Sequence, residues 1–217
     1  MLAFLSRRQP EVKRTEQAAS TEAALKEAAR RVFARQGYLN TKITDITAEA
    51  GRAAGSFYNH FTGKEELLTA LLTDALAESD AAIFAPDSQH RADFSDRDSV
   101  RWHVESYWRF YKRHAVELTA LRQAALVNAE FGAQLEAMMA GNVDNLEDHL
   151  DPIAEAGRHL PAPPELVLPM FVALLDGFSY RWQLNEGRFG GQRVEDDEVI
   201  DALTEFIYRA FNGRAGK

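Results

Sequence analysis

Residues 51–67 read GRAAGSFYNHFTGKEEL. Phe57, Tyr58 and Phe61 crowd beside Asn59 and His60, between Gly55 and Gly63. On a helical wheel Ala54, Phe57 and Phe61 fall three and four positions apart on one face, able to anchor against Phe33 and Ile46. The other face presents Ala53, Ser56 and Asn59, with Tyr58 and His60 to one side. Gly55 and Ser56 are small enough for close approach to base edges or phosphates. Tyr58 offers a phenol to a phosphate oxygen, and Lys64 a cation where the next helix starts. Helix N-termini add backbone N–H groups to the same anion-binding surface. Taken alone, FYNHF also fits a hydrophobic bundle helix with Tyr58 and His60 as satisfied core polar groups.

The flanking sequence sets this run in a helix-turn-helix. Leu25, Ala28, Ala29, Val32 and Phe33 share one face of a helix that begins near Thr21 and closes at Gly37. A second, short helix starts near Thr41, whose hydroxyl is placed to cap it, and ends at Gly51. The third segment spans about 53–60. Lys64 opens a longer helix to about Phe84. Three short helices with an Ala-Gly turn between the last two form the arrangement that lays a helix in a DNA major groove.

GY followed by TKITDITAEAGRAAGSFYNHFTGKEELL resembles the DNA-binding head of the TetR family of transcriptional repressors. The matching positions, in order, are Gly37, Tyr38, Thr41, Ile43, Asp45, Ile46, Ala50, Gly51, Gly55, Phe57, Tyr58, His60, Phe61, Lys64, Glu65 and Leu67. Arg52 and Ala53 stand where the family commonly has Val-Ser, so a capping serine worth about 1 kcal/mol is absent. Arg52 adds a guanidinium that reaches a phosphate or a guanine, the latter worth about 1–3 kcal/mol if bidentate. Lys42 stands where many relatives carry a hydroxyl. The expected DNA surface comprises Thr41, Lys42 and Thr44 before the turn. After it come Arg52, Ala53, Ala54, Gly55, Ser56, Tyr58, Asn59, His60 and Lys64.

Charge agrees with a basic head on an acidic body. The chain has 217 residues and a formal charge of −8. Residues 1–70 hold 11 Lys and Arg against 8 Asp and Glu, and the rest hold 14 against 25. Such asymmetry directs a polyanion to the head. The first 20 residues read as a flexible basic tail, in which Arg7, Arg8, Lys13 and Arg14 either enter a minor groove or remain solvated. Ser6-Arg7-Arg8 echoes an export signal, but Pro10, Glu11 and Lys13 stand where its apolar segment belongs. With no cysteine and no apolar run of membrane-spanning length, a cytoplasmic location is expected.

The remainder, 67–217, reads as a helical body behind a DNA-binding domain at 21–66, so the fold class is all-α. Residues 85–98 and 187–197 read as loops, and HLPAPPE (159–165) as a breaker. One helix resumes at Ser99 with breaks near Arg113–Ala115 and Asn128–Glu130, then continues to about Gly157. Residues 166–184 are apolar on too many sides for a surface helix, and a last helix spans about 198–211.

The family resemblance implies a homodimer with a ligand chamber in the body, its two recognition helices about one DNA turn, ~34–36 Å, or more apart on a near-palindromic operator. Val172, Ser179, Trp182, Leu203, Ile207 and Phe211 are the candidate dimer contacts, with burial inside one chain as the alternative. Trp102, Ser106, Tyr107, Phe110, Met138, Phe171, Leu174, Leu175 and Phe178 are candidates for lining the chamber, suited to an adaptable apolar effector. Asp176 and Tyr180 are conceivable polar anchors. A shorter resemblance, from WRFYKRH through LRQAAL to the Leu-Pro turn, is to the subgroup of ethionamide-activation repressors, which implies a long lipophilic chamber.

Other classes lack their signatures. The six histidines form no zinc-protease or His-x3-His spacing, so no metal and no cofactor is expected. Asp144, Glu147, Asp148, His149 and Asp151 read as a solvated helix face, because Leu146 stands where a di-iron motif needs Glu. No phosphate loop or nucleophile elbow marks an enzyme, although a non-obvious site in the body remains the alternative, as does a protein-binding helical module. The reading is a dimeric, ligand-released regulator.

Overall fold

The structure is a computed structural model that describes the backbone of residues 8–213 and the side chains of 15–139 and 145–213. Its elements are almost entirely helical. They run α1 (Arg8–Gln36), α2 (Ile43–Glu49), α3 (Ala54–Phe57), α4 (Lys64–Ile83), α5 (Arg97–Arg113), α6 (Ala115–Val127) and α7 (Ala129–Asp144). A 3-10 turn (Glu147–Leu150), α8 (Asp151–Glu155) and α9 (Pro164–Leu184) follow. A hairpin of β1 (Arg188–Phe189) and β2 (Gln192–Arg193) then leads into α10 (Asp196–Phe211). By contact the chain divides into a head unit, up to Asp74 plus Val116–Phe131, and a body unit of Ala75–Ala115 plus the residues from Gly132. The head unit therefore takes in part of α6 in addition to residues 21–66.

Most expected boundaries agree with the structure to within a few residues, and four differ for physical reasons. α1 starts at Arg8, well before Thr21, since nothing between Glu11 and Thr21 breaks a helix. Arg7 lies outside the described residues, as do the side chains of Arg8, Lys13 and Arg14. Next, the helix expected to reach Gly157 stops at Asp144. The chain then turns through a 3-10 segment and restarts with Pro152, which has no N–H to donate, in the first turn of α8, where proline is tolerated. His149 departs from the solvated-face reading, being turned into the core at 3% exposure, while Glu147, Asp148 and Asp151 are exposed. Asp144 has no described side chain. Third, the loop at 187–197 contains the hairpin, made possible by Gly190 and Gly191, whose φ values of 58° and 82° suit a two-residue turn. Finally, α3 is a single turn, shorter than 53–60.

The head core is Leu25, Ala28, Val32, Phe33, Ile46, Phe57, Phe61 and Leu67, all buried. The body core is formed where α5 meets α9 and α10, through Val100, Val104, Trp108, Phe171, Leu175, Ile200, Leu203 and Ile207. No helix among the described residues is long and apolar enough to cross a membrane.

Candidate nucleic-acid interface

The turn between α2 and α3 is fixed by backbone geometry. Gly51 has φ 63°, and the Gly51 N–H donates to the Ala48 carbonyl (3.1 Å) while the Arg52 N–H donates to that of Thr47 (2.8 Å). These two bonds close α2 in a Schellman motif, which requires the left-handed residue that glycine supplies. α1 holds α2 from outside, where Arg31 and Arg35 grip the Glu49 carboxylate at 2.7 and 3.1 Å. Phe57 and Phe61, with ring centroids 5.6 Å apart, clamp α3 and the segment after it into the core. A short α3 thus has a rigid position without a long hydrogen-bonded ladder of its own.

What this leaves outside is polar and small. Lys42, Thr44, Arg52, Ala53, Ala54, Gly55, Tyr58 and Asn59 are exposed. Ala54, expected to face inward as well as to meet DNA, lies on the open side only, because one turn of helix buries only Phe57 beneath it. Tyr58 is 62% exposed, its ring edge-on to Phe57 at 5.6 Å, which braces the phenol while leaving its hydroxyl outward. A Cβ on Gly55 would meet no atom within 4 Å. Ser56 is half-buried and donates its hydroxyl to the Ala53 carbonyl (2.7 Å), a local back-bond that leaves the start of α3 without a side-chain cap. His60 is largely buried, with Nδ1 4.0 Å from Glu22.

Two expected contacts are redirected. The Thr41 side chain is buried and donates to the Gly37 carbonyl (2.7 Å), so it neither caps α2 nor faces outward. Asp45 supplies the cap instead, accepting the Lys42 N–H at 2.9 Å. Lys64 donates its Nζ to the carbonyls of Tyr38 (2.9 Å) and Thr41 (2.7 Å) and lies 4.0 Å over the Tyr38 ring. Its ammonium ties the α1–α2 connection to α4, and desolvation pulls its pKa below the usual lysine value. One N–H of the three remains to meet an anion. The Tyr38 phenol, desolvated and donating to Glu65 at 2.7 Å, has its pKa driven well up.

The body residues sort differently from expectation. Ser179, Leu203, Ile207 and Phe211 are buried within the protomer, at 2 to 6% exposure. They pack into the core beside α5, the alternative left open by the sequence, and Ile207 and Phe211 also border the groove described below. Val172 and Trp182 are half-buried against the same core. The large apolar groups exposed on these helices are Leu166, Met170, Leu184 and Phe206. Of these, Met170 and Phe206 line an open groove of about 250 Å³ with Val167 and Ala210.

Among the chamber candidates, Phe171 and Leu174 border that same groove, and Leu175 is core. Phe178 stacks on Phe189 at 5.4 Å, and Phe110 packs on His114 at 4.9 Å. Tyr107 donates to Asp176 at 3.1 Å, so a lining candidate and a conceivable polar anchor bond to each other. Ser106 and Met138 are half-buried. Trp102 packs against His90 at 5.0 Å. His90 belongs to a cluster with His103 and His149, whose ring nitrogens lie within 4.8 Å of one another, though their spacing in sequence gave no sign of it.

Comparison with known proteins agrees with the head geometry. Residues 25–71 match the profile of the bacterial regulatory proteins of the tetR family. Over 83 residues the chain is 39% identical to the HTH-type transcriptional regulator TtgR of Pseudomonas putida, a match covering 38% of this chain. The probable HTH-type transcriptional regulator ArpR, also of Pseudomonas putida, matches to the same extent. In each case the match spans 40% of the relative's length. The whole fold is similar to the fatty acid degradation regulator FadR of Bacillus halodurans, with TM-score 0.67, 17% identity, and coverage of 88% of this chain and 94% of that one. It is equally similar to a tetR-family regulatory protein of Rhodococcus RHA1, with TM-score 0.67, 23% identity, and coverage of 88% and 97%. At its N-terminal end the chain is therefore similar to the helix-turn-helix domain of the TetR family, over residues 25–71.

Proposed function

We propose that this protein is a cytoplasmic, dimeric transcriptional regulator that reads a near-palindromic operator and acts as a repressor. The observation that carries this reading is the surface after Gly51. Arg52, Gly55, Tyr58 and Asn59 stand exposed on a one-turn helix whose position is fixed from beneath by Phe57 and Phe61. Such a surface serves a groove: Tyr58 meets phosphate, and Arg52 or Asn59 meets a base edge. Lys64 contributes only its remaining N–H, so its chief role is to hold the α1–α2 connection in register.

The dimer rests on Leu166, Met170 and Phe206, apolar groups on α9 and α10 that a second copy would cover. A small apolar effector bound in the body would release the operator by favouring a state in which the two heads are out of register. That requires the effector to prefer the released state. The effector class rests on the apolar and aromatic character of the body residues and does not depend on the ethionamide-repressor subgroup.

The test is selection of bound DNA from a random library by the purified protein, with Tyr58→Phe and Arg52→Ala alongside. Enrichment of a two-fold palindrome is expected. Tyr58→Phe should weaken binding to all sequences by about tenfold, the worth of one or two hydrogen bonds per dimer. Arg52→Ala should change base preference. Absence of any enrichment at low salt, from protein refolded to strip carried ligand, would refute the DNA-binding role.

A further inference from the structure

Three histidines from separate segments meet in the body unit. His90 comes from the connection between α4 and α5, His103 from the second turn of α5, and His149 from the 3-10 turn. The segments are held together independently of any ion. The Phe94 N–H donates to the His149 carbonyl (2.9 Å), and the Ser99 hydroxyl to the Arg91 carbonyl (2.6 Å). From the other side Asn212 donates to the Phe94 carbonyl (2.9 Å) and Arg158 to that of Ser95 (2.9 Å). The imidazoles pack tightly, with the His103 and His149 centroids 4.8 Å apart and Phe94 edge-on to His103 at 4.8 Å.

The hydrogen bonds fix which nitrogens carry lone pairs. Nδ1 of His103 lies 2.8 Å from the Ser99 carbonyl, which can only accept, so Nδ1 bears the proton and Nε2 is bare. That Nε2 is fully buried and has no hydrogen-bond partner. An orphaned buried acceptor costs about 1–3 kcal/mol. His149 repeats the pattern, with Nδ1 2.6 Å from the Asp148 carboxylate and Nε2 pointing at Nε2 of His90, 3.0 Å away. Without an ion, His90 must donate that proton; with one, it moves the proton to Nδ1 and presents a third lone pair. Desolvation lowers the pKa of His103 to about 4 and, with the neighbouring His149, lowers that of His90.

We propose that His90, His103 and His149 bind one divalent transition-metal ion of the zinc class, oriented by Asp148 and the Ser99 carbonyl. Three neutral nitrogens suit zinc, cobalt, nickel or copper, and not calcium or magnesium, which take oxygen ligands. Tetrahedral zinc with Zn–N near 2.0–2.1 Å sets its ligand atoms about 3.3 Å apart. The His90–His149 pair already lies at 3.0 Å, and the full set, within 4.8 Å, closes by small ring rotations. A carboxylate or carbonyl on the far nitrogen of each of two ligands is the arrangement that positions metal-binding imidazoles. The fourth position falls to water or another small donor. This site stands independently of the DNA-binding proposal.

Untagged full-length protein, treated with chelator and then titrated with Co²⁺, tests the site by visible d–d absorption. One equivalent of Co²⁺ per chain should bind and be displaced by Zn²⁺, with Zn²⁺ also raising the unfolding temperature. His90→Ala, on a half-buried loop, and His103→Ala should each abolish the absorption. Asp148→Asn should weaken binding about 10–100-fold while leaving the ligands in place. His159→Ala, an exposed histidine outside the cluster, should change nothing. Circular dichroism checks each variant's fold, and His90→Ala decides alone if a core variant fails to fold. A protein that binds no Co²⁺ and gains no stability from Zn²⁺ would overturn the proposal. So would stoichiometric binding that survives His90→Ala in the folded protein.

Discussion

The helix-turn-helix of the head unit packs its phenylalanines beneath a polar face, whereas the body unit seals imidazoles inside and leaves Phe206 in water. Phe57 and Phe61 lie under a surface of Arg52, Gly55, Tyr58 and Asn59. In the body His149 is 3% exposed while Phe206 is 65% exposed. The two inversions ask for different partners. A solvated polar surface without close neighbours suits a hydrated polyanion, whose approach removes little apolar area. Exposed Leu166, Met170 and Phe206 gain most from another apolar surface, and the unpartnered Nε2 of His103 gains most from an ion.

Substitutions that break one side and spare the other test this contrast. The largest effect is expected for Phe57→Ala, which removes the fully buried anchor of α3 and should destabilise the head by about 3–5 kcal/mol, read by urea unfolding. Loss of DNA binding in that variant would follow from the lost fold. Phe206→Glu is the body counterpart. Its side chain packs little within the protomer, so monomer stability should barely change. The charge placed in an apolar interface should weaken self-association by about 2–4 kcal/mol, read by sedimentation equilibrium. An unchanged dimer would remove Phe206 and the groove beside it from the interface. Next in size is Gly51→Ala, which has open space around it but φ 63°, so the backbone strain should cost about 1–2 kcal/mol of stability.

The contrast also accounts for what could be read directly from the chain. The head site lies within a single run, where helix period, the Gly51 turn and the paired Phe57 and Phe61 each act over a few residues. Its misplaced details, Thr41 and Lys64, are cases of competition: each group had several acceptors in reach, and only the folded loop decides which carbonyl wins. In the body the period showed that α9 and α10 are apolar on several sides, but which side another helix covers is set at long range. Leu203, Ile207 and Phe211 therefore proved to be core and Phe206 surface. The histidine cluster was least legible. It depends on the chain leaving α7 for a 3-10 turn, and on that turn meeting a loop far away in sequence.

The smallest expected stability change gives the sharpest division between fold and function. Gly55 has ordinary negative φ, unlike Gly51, and a methyl group there would touch no protein atom within 4 Å. Nothing in the protein itself calls for glycine at this position of α3. Helix propensity alone favours alanine by up to about 1 kcal/mol, so Gly55→Ala should fold at least as well as the parent by thermal unfolding. The added methyl projects from the face assigned to the operator, where it would hold the backbone off the phosphates or base edges. Operator affinity should therefore fall while the unfolding midpoint stays or rises, a combination that no defect in folding produces. Unchanged affinity in Gly55→Ala would mean that α3 does not approach DNA closely by this face, and would move the reading surface toward Arg52 and Lys42.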